Sequence, residues 1–153
     1  MTMGRGVAES PWTNVQRMFF VMLILLVVCV LTYGEGYDAR AFPISSLGGV
    51  RTANGHPNHL SAACFIAAML NSARLMLRFS NYYASSHAAL APVLGSIGRV
   101  VAVGFMLTAL PHDVPVLARP HTIGAAAGIT VPNVILARRI APEERRRTGS
   151  VHE

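Results

Sequence analysis

The amino-acid sequence predicts an all-α integral membrane protein, a four-helix transmembrane bundle with its N- and C-termini on the same side of the membrane. Hydrophobic residues make up 52% of the chain and charged residues 13%, whereas an ordinary soluble domain carries about 25% charged residues. Apolar runs alternate with polar segments, and most arginines flank the apolar runs. With 153 residues, the chain has room for a single membrane domain, residues 1–153.

The first predicted span covers residues 18–34. No charged residue lies between Arg17 and Glu35, and the run approaches the roughly 20 residues that a helix needs to cross a bilayer. A secretory signal peptide would also combine an arginine with an apolar core, but the apolar runs that follow favour a retained span. The next segment, residues 34–58, is predicted to be an outer loop because its glycines, its prolines and its Asn54-Gly55 pair, which is typical of a turn, exclude a long helix.

The second predicted span covers residues 59–78 and contains several polar side chains. Asn71 is predicted to take part in helix packing, because an amide is unfavourable against lipid. Arg74 and Arg78 are predicted to reach lipid headgroups or a partner protein. Residues 80–86, which are polar and carry two tyrosines, are predicted to form an interfacial connection rather than helix.

The third predicted span covers residues 88–110 and ends at the proline-containing segment 111–115. Its unusual feature is Arg99, because a charged residue within a span is costly and is often functional. The side chain could instead extend to the inner boundary of the membrane. The predicted partner of Arg99 is a lipid phosphate, a backbone carbonyl or an acidic residue on another subunit.

The fourth predicted span covers residues 121–137. It contains Gly124 and Gly128 in a G-x-x-x-G arrangement, a small-residue ridge that lets helix backbones approach closely. This ridge is predicted to pack within the chain, with a subunit contact as the alternative. Weak, polar-interrupted spans of this kind predict a protein that works in an assembly.

The distribution of arginines predicts the topology. Nine arginines lie on the side of both termini and three on the other, which places both termini on the cytoplasmic or matrix side. The basic tail, residues 138–153, begins with Arg138 and Arg139, which are predicted to contact headgroups or a partner. All 13 basic residues are arginine, which favours the inner membrane of a GC-rich bacterium, with the mitochondrial inner membrane as the alternative. Nucleic-acid binding is not expected.

Polar residues at the predicted outer ends of the spans are candidates for metal binding or acid–base catalysis. These weak metal candidates are His56, His59, His112, Asp113 and His121. None has a recognised ligand spacing such as H-E-x-x-H, and helix ends collect polar residues at the water boundary. The sequence also has no Walker loop, dinucleotide fingerprint, nucleophile elbow or C-x-x-C motif. We therefore expect no enzymatic activity, no metal and no cofactor other than bound lipid.

Several short motifs together resemble a known family. They are Phe42-Pro43-Ile44-Ser45-Ser46-Leu47-Gly48, Phe65, Arg74, Gly104-Phe105-Met106-Leu107-Thr108-Ala109-Leu110-Pro111, and Pro120-His121 before Gly124. Over about residues 18–137, the chain resembles the damage-regulated autophagy modulator and Sfk-type membrane family. The resemblance implies a non-enzymatic, lipid-associated or trafficking role. Members usually have six spans rather than four, and the missing helices would leave faces open to a partner.

These features predict a non-catalytic accessory or structural subunit of a larger membrane complex, whose partners are other membrane subunits and lipids. The first alternative is a stand-alone protein that binds or organises lipids. The second alternative is a metal-dependent membrane hydrolase at the outer histidines.

Overall fold

The computed structural model describes residues 11–85, 90–128 and 130, and in this part of the chain the regular structure is helical. The α-helices are α1 (Pro11–Thr32), α2 (His59–Ala84) and α3 (Ala91–Thr108), with a 3-10 helix (Ile44–Gly48) between α1 and α2. Residues 115–128 form a further helical segment. Apart from one isolated antiparallel bridge, Arg51 to Pro57, the described residues contain no β-pairing. The predicted all-α class is confirmed.

Two of the helices are long and apolar enough to cross a membrane, by length and composition: α2 and α3. The apolar part of α1, Gln16–Thr32, is shorter. One face of α1 carries large exposed apolar side chains, with Phe20 61%, Ile24 62% and Leu31 78% exposed. Contiguous apolar surface of this kind is unusual in soluble monomers and is typical of contact with lipid or another protein.

The core lies where α2 packs against both α1 and α3. At one end of α2, Phe65 and Met69 pack with Cys29 of α1, Ala109 and, from the 3-10 helix, Leu47. Towards the other end of α2, a second cluster joins α2 to α3. Because Leu47 is buried in this cluster, the loop between α1 and α2 is part of the hydrophobic core.

Glycines allow the helices to approach closely. A Cβ atom on Gly98 would lie 3.0 Å from the Met76 carbonyl oxygen of α2. A Cβ on Gly104 would lie 2.7 Å from the Gly128 Cα and 2.9 Å from the Gly124 carbonyl oxygen. Segment 115–128 therefore packs backbone to backbone on α3, and the Gly124–Gly128 ridge is occupied within the chain.

The observed helix α2 extends beyond the predicted span. It runs to Ala84, so the prediction that residues 80–84 form a polar connection was wrong. The reason is that the neighbouring helix accepts the polar group: the Ser80 hydroxyl donates a hydrogen bond to the Gly95 carbonyl at 2.7 Å. A buried hydroxyl that is satisfied in this way does not interrupt a helix.

Other helix boundaries also differ from those predicted. Helix α1 begins at Pro11 rather than near residue 18. The segment expected to start at residue 121 begins at 115, because proline is well suited to the first position of a helix, where its missing N–H is not needed. Residues 131–137 of the fourth predicted span, and the tail with Arg138 and Arg139, lie outside the described residues, as does the predicted start of the third span.

Candidate functional site

The most elaborate part of the molecule is the loop that joins α1 to α2. We call residues 34–58 together with residues 110–114, which join α3 to segment 115–128, the cap. Two sharp turns in it depend on glycines with positive φ, Gly36 at 76° and Gly55 at 88°, a conformation that costs other residues free energy. The second of these belongs to the Asn54-Gly55 pair that the sequence marked as a turn.

Asp113 joins the two parts of the cap. Its carboxylate oxygens accept hydrogen bonds from the backbone N–H groups of Val50 at 3.0 Å and Arg51 at 2.8 Å. The two parts of the cap approach closely here, as a Cβ on Gly49 would lie only 3.1 Å from His112 Cε1. Asp113 is therefore committed to holding the loop against the end of α3.

Glu35 fixes the far turn of the loop. Its carboxylate accepts hydrogen bonds from the Thr52 hydroxyl and from Asn54 Nδ2, the latter at 2.7 Å, and lies 3.6 Å from His56 Nε2. The Tyr33 hydroxyl accepts a further hydrogen bond from a backbone N–H in the same turn. These contacts anchor the turn to the end of α1.

Buried polar side chains at the start of α2 support the 3-10 helix. Asn58 Nδ2 donates to the carbonyl oxygens of Leu47 at 3.2 Å and Gly49 at 2.9 Å, and the Ser61 hydroxyl donates to Leu47 at 3.0 Å. A Cβ on Gly48 would overlap the ring of Phe65. The loop backbone is therefore satisfied by α2 and lies directly on it, which is required where polar groups are buried.

Two histidines lie together where the cap meets segment 115–128. The rings of His112 and His121 are 5.5 Å apart. His121 is buried, and its Nδ1 lies 2.7 Å from the Leu110 carbonyl oxygen, so Nδ1 carries the proton because a carbonyl can only accept. His112 Nδ1 is buried and has no hydrogen-bond partner among the described residues. Burial, together with His121, lowers the pKa of His112, and Asp113 opposes this.

A cleft of about 230 Å³ opens between the two parts of the cap. Its lining includes Phe42, Pro43, Ser46, Arg51 and His112. The cleft is below the usual size of sites for drug-sized ligands.

The structure brings three of the five metal candidates together and separates the other two. His112 and Asp113 lie in the part of the cap that precedes segment 115–128, and the ring of His121 is 5.5 Å from that of His112, whereas His56 is 69% exposed beside Glu35 and His59 is exposed at the start of α2. Among the residues that the structure describes, no group of three or more His, Cys, Asp or Glu side chains could hold a metal ion. Asp113 is already occupied by backbone N–H groups.

The part of the bundle away from the cap, formed by the second half of α2 and the first half of α3, is called its arginine end. Arg74 and Arg78 of α2 and Arg99, near the middle of α3, are exposed there, whereas all carboxylates in the described ranges belong to the cap. Asn71, near the middle of α2, has a buried Nδ2 without a hydrogen-bond partner in the described part of the chain.

Sequence reasoning missed three residues that organise the cap and the helix packing: Asn58, Ser61 and Gly104. Asn58 stands at the N-cap position of α2, which asparagine favours, so its position was a usable signal. Gly104 was quoted only as part of a family motif, because the sequence gives no spacing that pairs it with the ridge on another helix. Comparison with models of known protein families, with curated proteins and with solved structures finds no match to this chain.

Proposed function

We propose that this chain is a four-span membrane protein that acts as a non-catalytic subunit of a larger membrane complex. Both termini lie on the cytoplasmic or matrix side, and the cap lies on the other side. Support for membrane insertion comes from the apolar length of α2 and α3. Support for this orientation comes from the separation of charges, because arginines favour the cytoplasmic side. The exposed apolar face of α1 contacts lipid or a neighbouring subunit.

The observation that carries this proposal is the rigid construction of the cap. A 25-residue connection, 34–58, is long for a compact domain, and ordered loops of that length are usually functional. Several of its polar groups form hydrogen bonds within the chain, so little conformational entropy is lost when a partner binds to it. The cap also exposes Ile44, which is 58% exposed. Val116, two residues after the end of the cap, is 78% exposed. This surface suits a partner protein on the outer side.

The resemblance to the autophagy modulator and Sfk-type family supports a non-enzymatic role. Two of the motifs that carry it, segment 42–48 and Phe65, meet in the structure at the contact between Gly48 and the Phe65 ring. The family usually has two spans more than are proposed for this chain. A partner subunit would take the place of these helices.

The proposal is tested with the untagged chain extracted in mild detergent and examined by native electrophoresis and mass spectrometry. We expect it to migrate with at least one other membrane protein. Ile44→Gln should weaken this association without changing the amount of inserted protein. Leu60→Gln is the matched control, because Leu60 is also exposed (61%) but lies on α2 outside the cap. A stable monomer without a partner would contradict the proposal.

The proposed topology needs a separate measurement. Arg40→Cys, in a background where Cys29 and Cys64 are replaced by alanine, should react with a membrane-impermeant thiol reagent from the outer side, and Arg78→Cys should react only after the membrane is opened. Reaction of both sites from the same side would exclude the four-span arrangement.

The stand-alone lipid-binding alternative is favoured by a different observation, the exposed face of α3. Native mass spectrometry that showed bound lipid and no protein partner would select this alternative.

A further inference from the structure

One face of α3 has the polarity of a phospholipid. The exposed residues of this helix are Pro92, Ser96, Arg99, Val103 and Met106, and their spacing of three or four places them on one side of the helix. Ser96, near the beginning of the helix, carries a hydroxyl, and Arg99 is a cation. Val103 and Met106 are apolar and are 52% and 39% exposed. A polar head next to an apolar chain would match this order.

A pocket lies beside the cation. It has a volume of about 280 Å³ and is formed between the end of α2 and the beginning of α3, with Tyr83, Ala91, Gly95, Ser96 and Arg99 in its lining. The walls are held together by the hydrogen bond from Ser80 to the Gly95 carbonyl at 2.7 Å. The pocket therefore belongs to the packed contact between two helices and combines a guanidinium, a phenol and a hydroxyl.

In the described part of the chain, no carboxylate lies near the positive charge of Arg99 in this pocket. Helices α1, α2 and α3 contain no carboxylate, and the described carboxylates lie in the cap at the other end. Within the described ranges, no hydrogen bond or ion pair joins the Arg99 guanidinium to another residue. An arginine at membrane depth is costly unless an anion or water reaches it.

We propose that this pocket binds the phosphate of a membrane phospholipid, with an acyl chain of the same lipid lying along Val103 and Met106. The inference rests on the proposed location of the chain in a membrane. Arginine binds phosphate oxygens in a bidentate manner. Arg99 is eight residues from Ala91, the first residue of α3, or about 12 Å along the axis. The phosphate of the bound lipid therefore lies deeper in the membrane than the phosphates of the surrounding lipids.

Native mass spectrometry of the full chain in mild detergent tests this site, with phosphatidylglycerol, diacylglycerol of the same chains and inorganic phosphate as separate probes. We expect phosphatidylglycerol to bind at least about tenfold more tightly than diacylglycerol, a ratio that corresponds to one good charged contact. Inorganic phosphate at millimolar concentration should not displace it. Equal binding of the two lipids, or displacement by inorganic phosphate, would overturn the proposal.

Substitutions then locate the binding. Arg99→Gln should weaken phosphatidylglycerol binding about tenfold, and Arg99→Lys should retain part of it because the charge remains. Arg40→Gln removes the same charge in the cap and should leave binding unchanged. Because Arg99 is exposed, Arg99→Gln should unfold at the same temperature as the native chain, which keeps the comparison interpretable. Equal loss in Arg99→Gln and Arg40→Gln would mean that net charge alone attracts the lipid, and the site would be rejected.

The failure of this inference is distinguishable from failure of the proposed function. Carbonate extraction of membranes reports whether the chain is integral, independently of any lipid site. If the chain is extracted by carbonate, the membrane proposal fails and this inference fails with it. If the chain stays in the membrane fraction but Arg99→Gln binds phosphatidylglycerol as well as the native chain does, only the inference about the pocket fails.

Discussion

The two ends of the helix bundle treat charge in opposite ways. In the cap, Asp113 and Glu35 accept hydrogen bonds from backbone and side-chain groups of the same chain. At the arginine end, Arg74, Arg78 and Arg99 are exposed, and no carboxylate occurs in the three helices. In the described part of the chain, Asp113 and Glu35 are therefore held by other groups of the chain, whereas Arg74, Arg78 and Arg99 lie on helices without a carboxylate.

This difference predicts different responses of the two ends to mutation. A network of internal hydrogen bonds favours one conformation of the loop. Exposed cations without acidic neighbours contribute little to stability, and they attract phosphate at a membrane surface. The cap is therefore expected to respond to mutation through stability, and the arginine end through binding.

The largest expected effect is at the base of the cap. Gly48→Ala places a methyl group against the ring of Phe65, which is 2% exposed and has little room to move. We expect a loss of about 1–3 kcal/mol, the usual cost of overpacking, measured by thermal unfolding in detergent. Gly34→Ala is the matched control, since its Cβ would lie at an ordinary 3.6 Å from the Pro57 carbonyl oxygen. Similar losses in both variants would mean that the cap is not seated on α2 as described.

A smaller effect is expected at the link between the two parts of the cap. Asp113→Asn leaves one acceptor oxygen for two backbone N–H groups, so either Val50 or Arg51 loses its hydrogen bond. The carboxylate is exposed, which limits the expected loss to about 1 kcal/mol. Hydrogen exchange should become faster at these two residues and stay unchanged in the middle of α2.

Asp38→Asn is the control for this experiment, because Asp38 bonds only within its own turn, to the Arg40 N–H at 2.8 Å. Its effect on exchange should not extend to Val50. Faster exchange at Val50 in both variants would show that general loosening of the loop, and not the link through Asp113, causes the change.

The cap should also weaken at acidic pH. Burial and the neighbouring His121 lower the pKa of His112 from its ordinary value of 6.5, so protonation favours the unfolded state. The contribution of His112 to stability is therefore fully present above about pH 6.5 and is lost as the pH falls through its lowered pKa. His112→Gln should reduce the difference in unfolding temperature between pH 7 and pH 5. An unchanged difference in His112→Gln would remove this histidine as the cause.

The smallest expected effect is at the arginine end. Arg78→Gln removes an exposed charge and should change stability in detergent by no more than about 0.5 kcal/mol. Arg51→Gln, the equivalent change in the cap, removes the hydrogen bond from Nη1 to the Gly55 carbonyl at 3.0 Å and should cost somewhat more. A larger loss for Arg78→Gln in thermal unfolding would show that the chain itself holds this arginine, which would end the contrast between the two ends.

The amount that the sequence could predict differs between these regions. Long apolar runs form helices wherever the backbone must satisfy its own hydrogen bonds. Helices α1, α2 and α3 could therefore be predicted from their apolar runs. The Asn54-Gly55 turn and the small-residue ridge were also visible, because each depends on local chemistry. The ends of the helices were harder to predict from sequence. Helix α2 extends through Ser80 because the hydroxyl of this residue donates its hydrogen bond to another helix.

The candidate site could not be predicted in the same way. His112, Asp113 and His121 were noticed as a possible metal cluster, but Asp113 instead holds the loop backbone. Sequence spacing does not reveal such a contact, because Asp113 and Val50 are 63 residues apart. The sequence by itself determined that the chain is all-α, where its apolar helices lie and how its charges are divided along the chain, since these follow from composition and local order. Tertiary structure decided that the loop becomes a rigid cap, that Gly124 and Gly128 face Gly104, and that Arg99 lies beside a pocket, because each depends on which distant surfaces pack together.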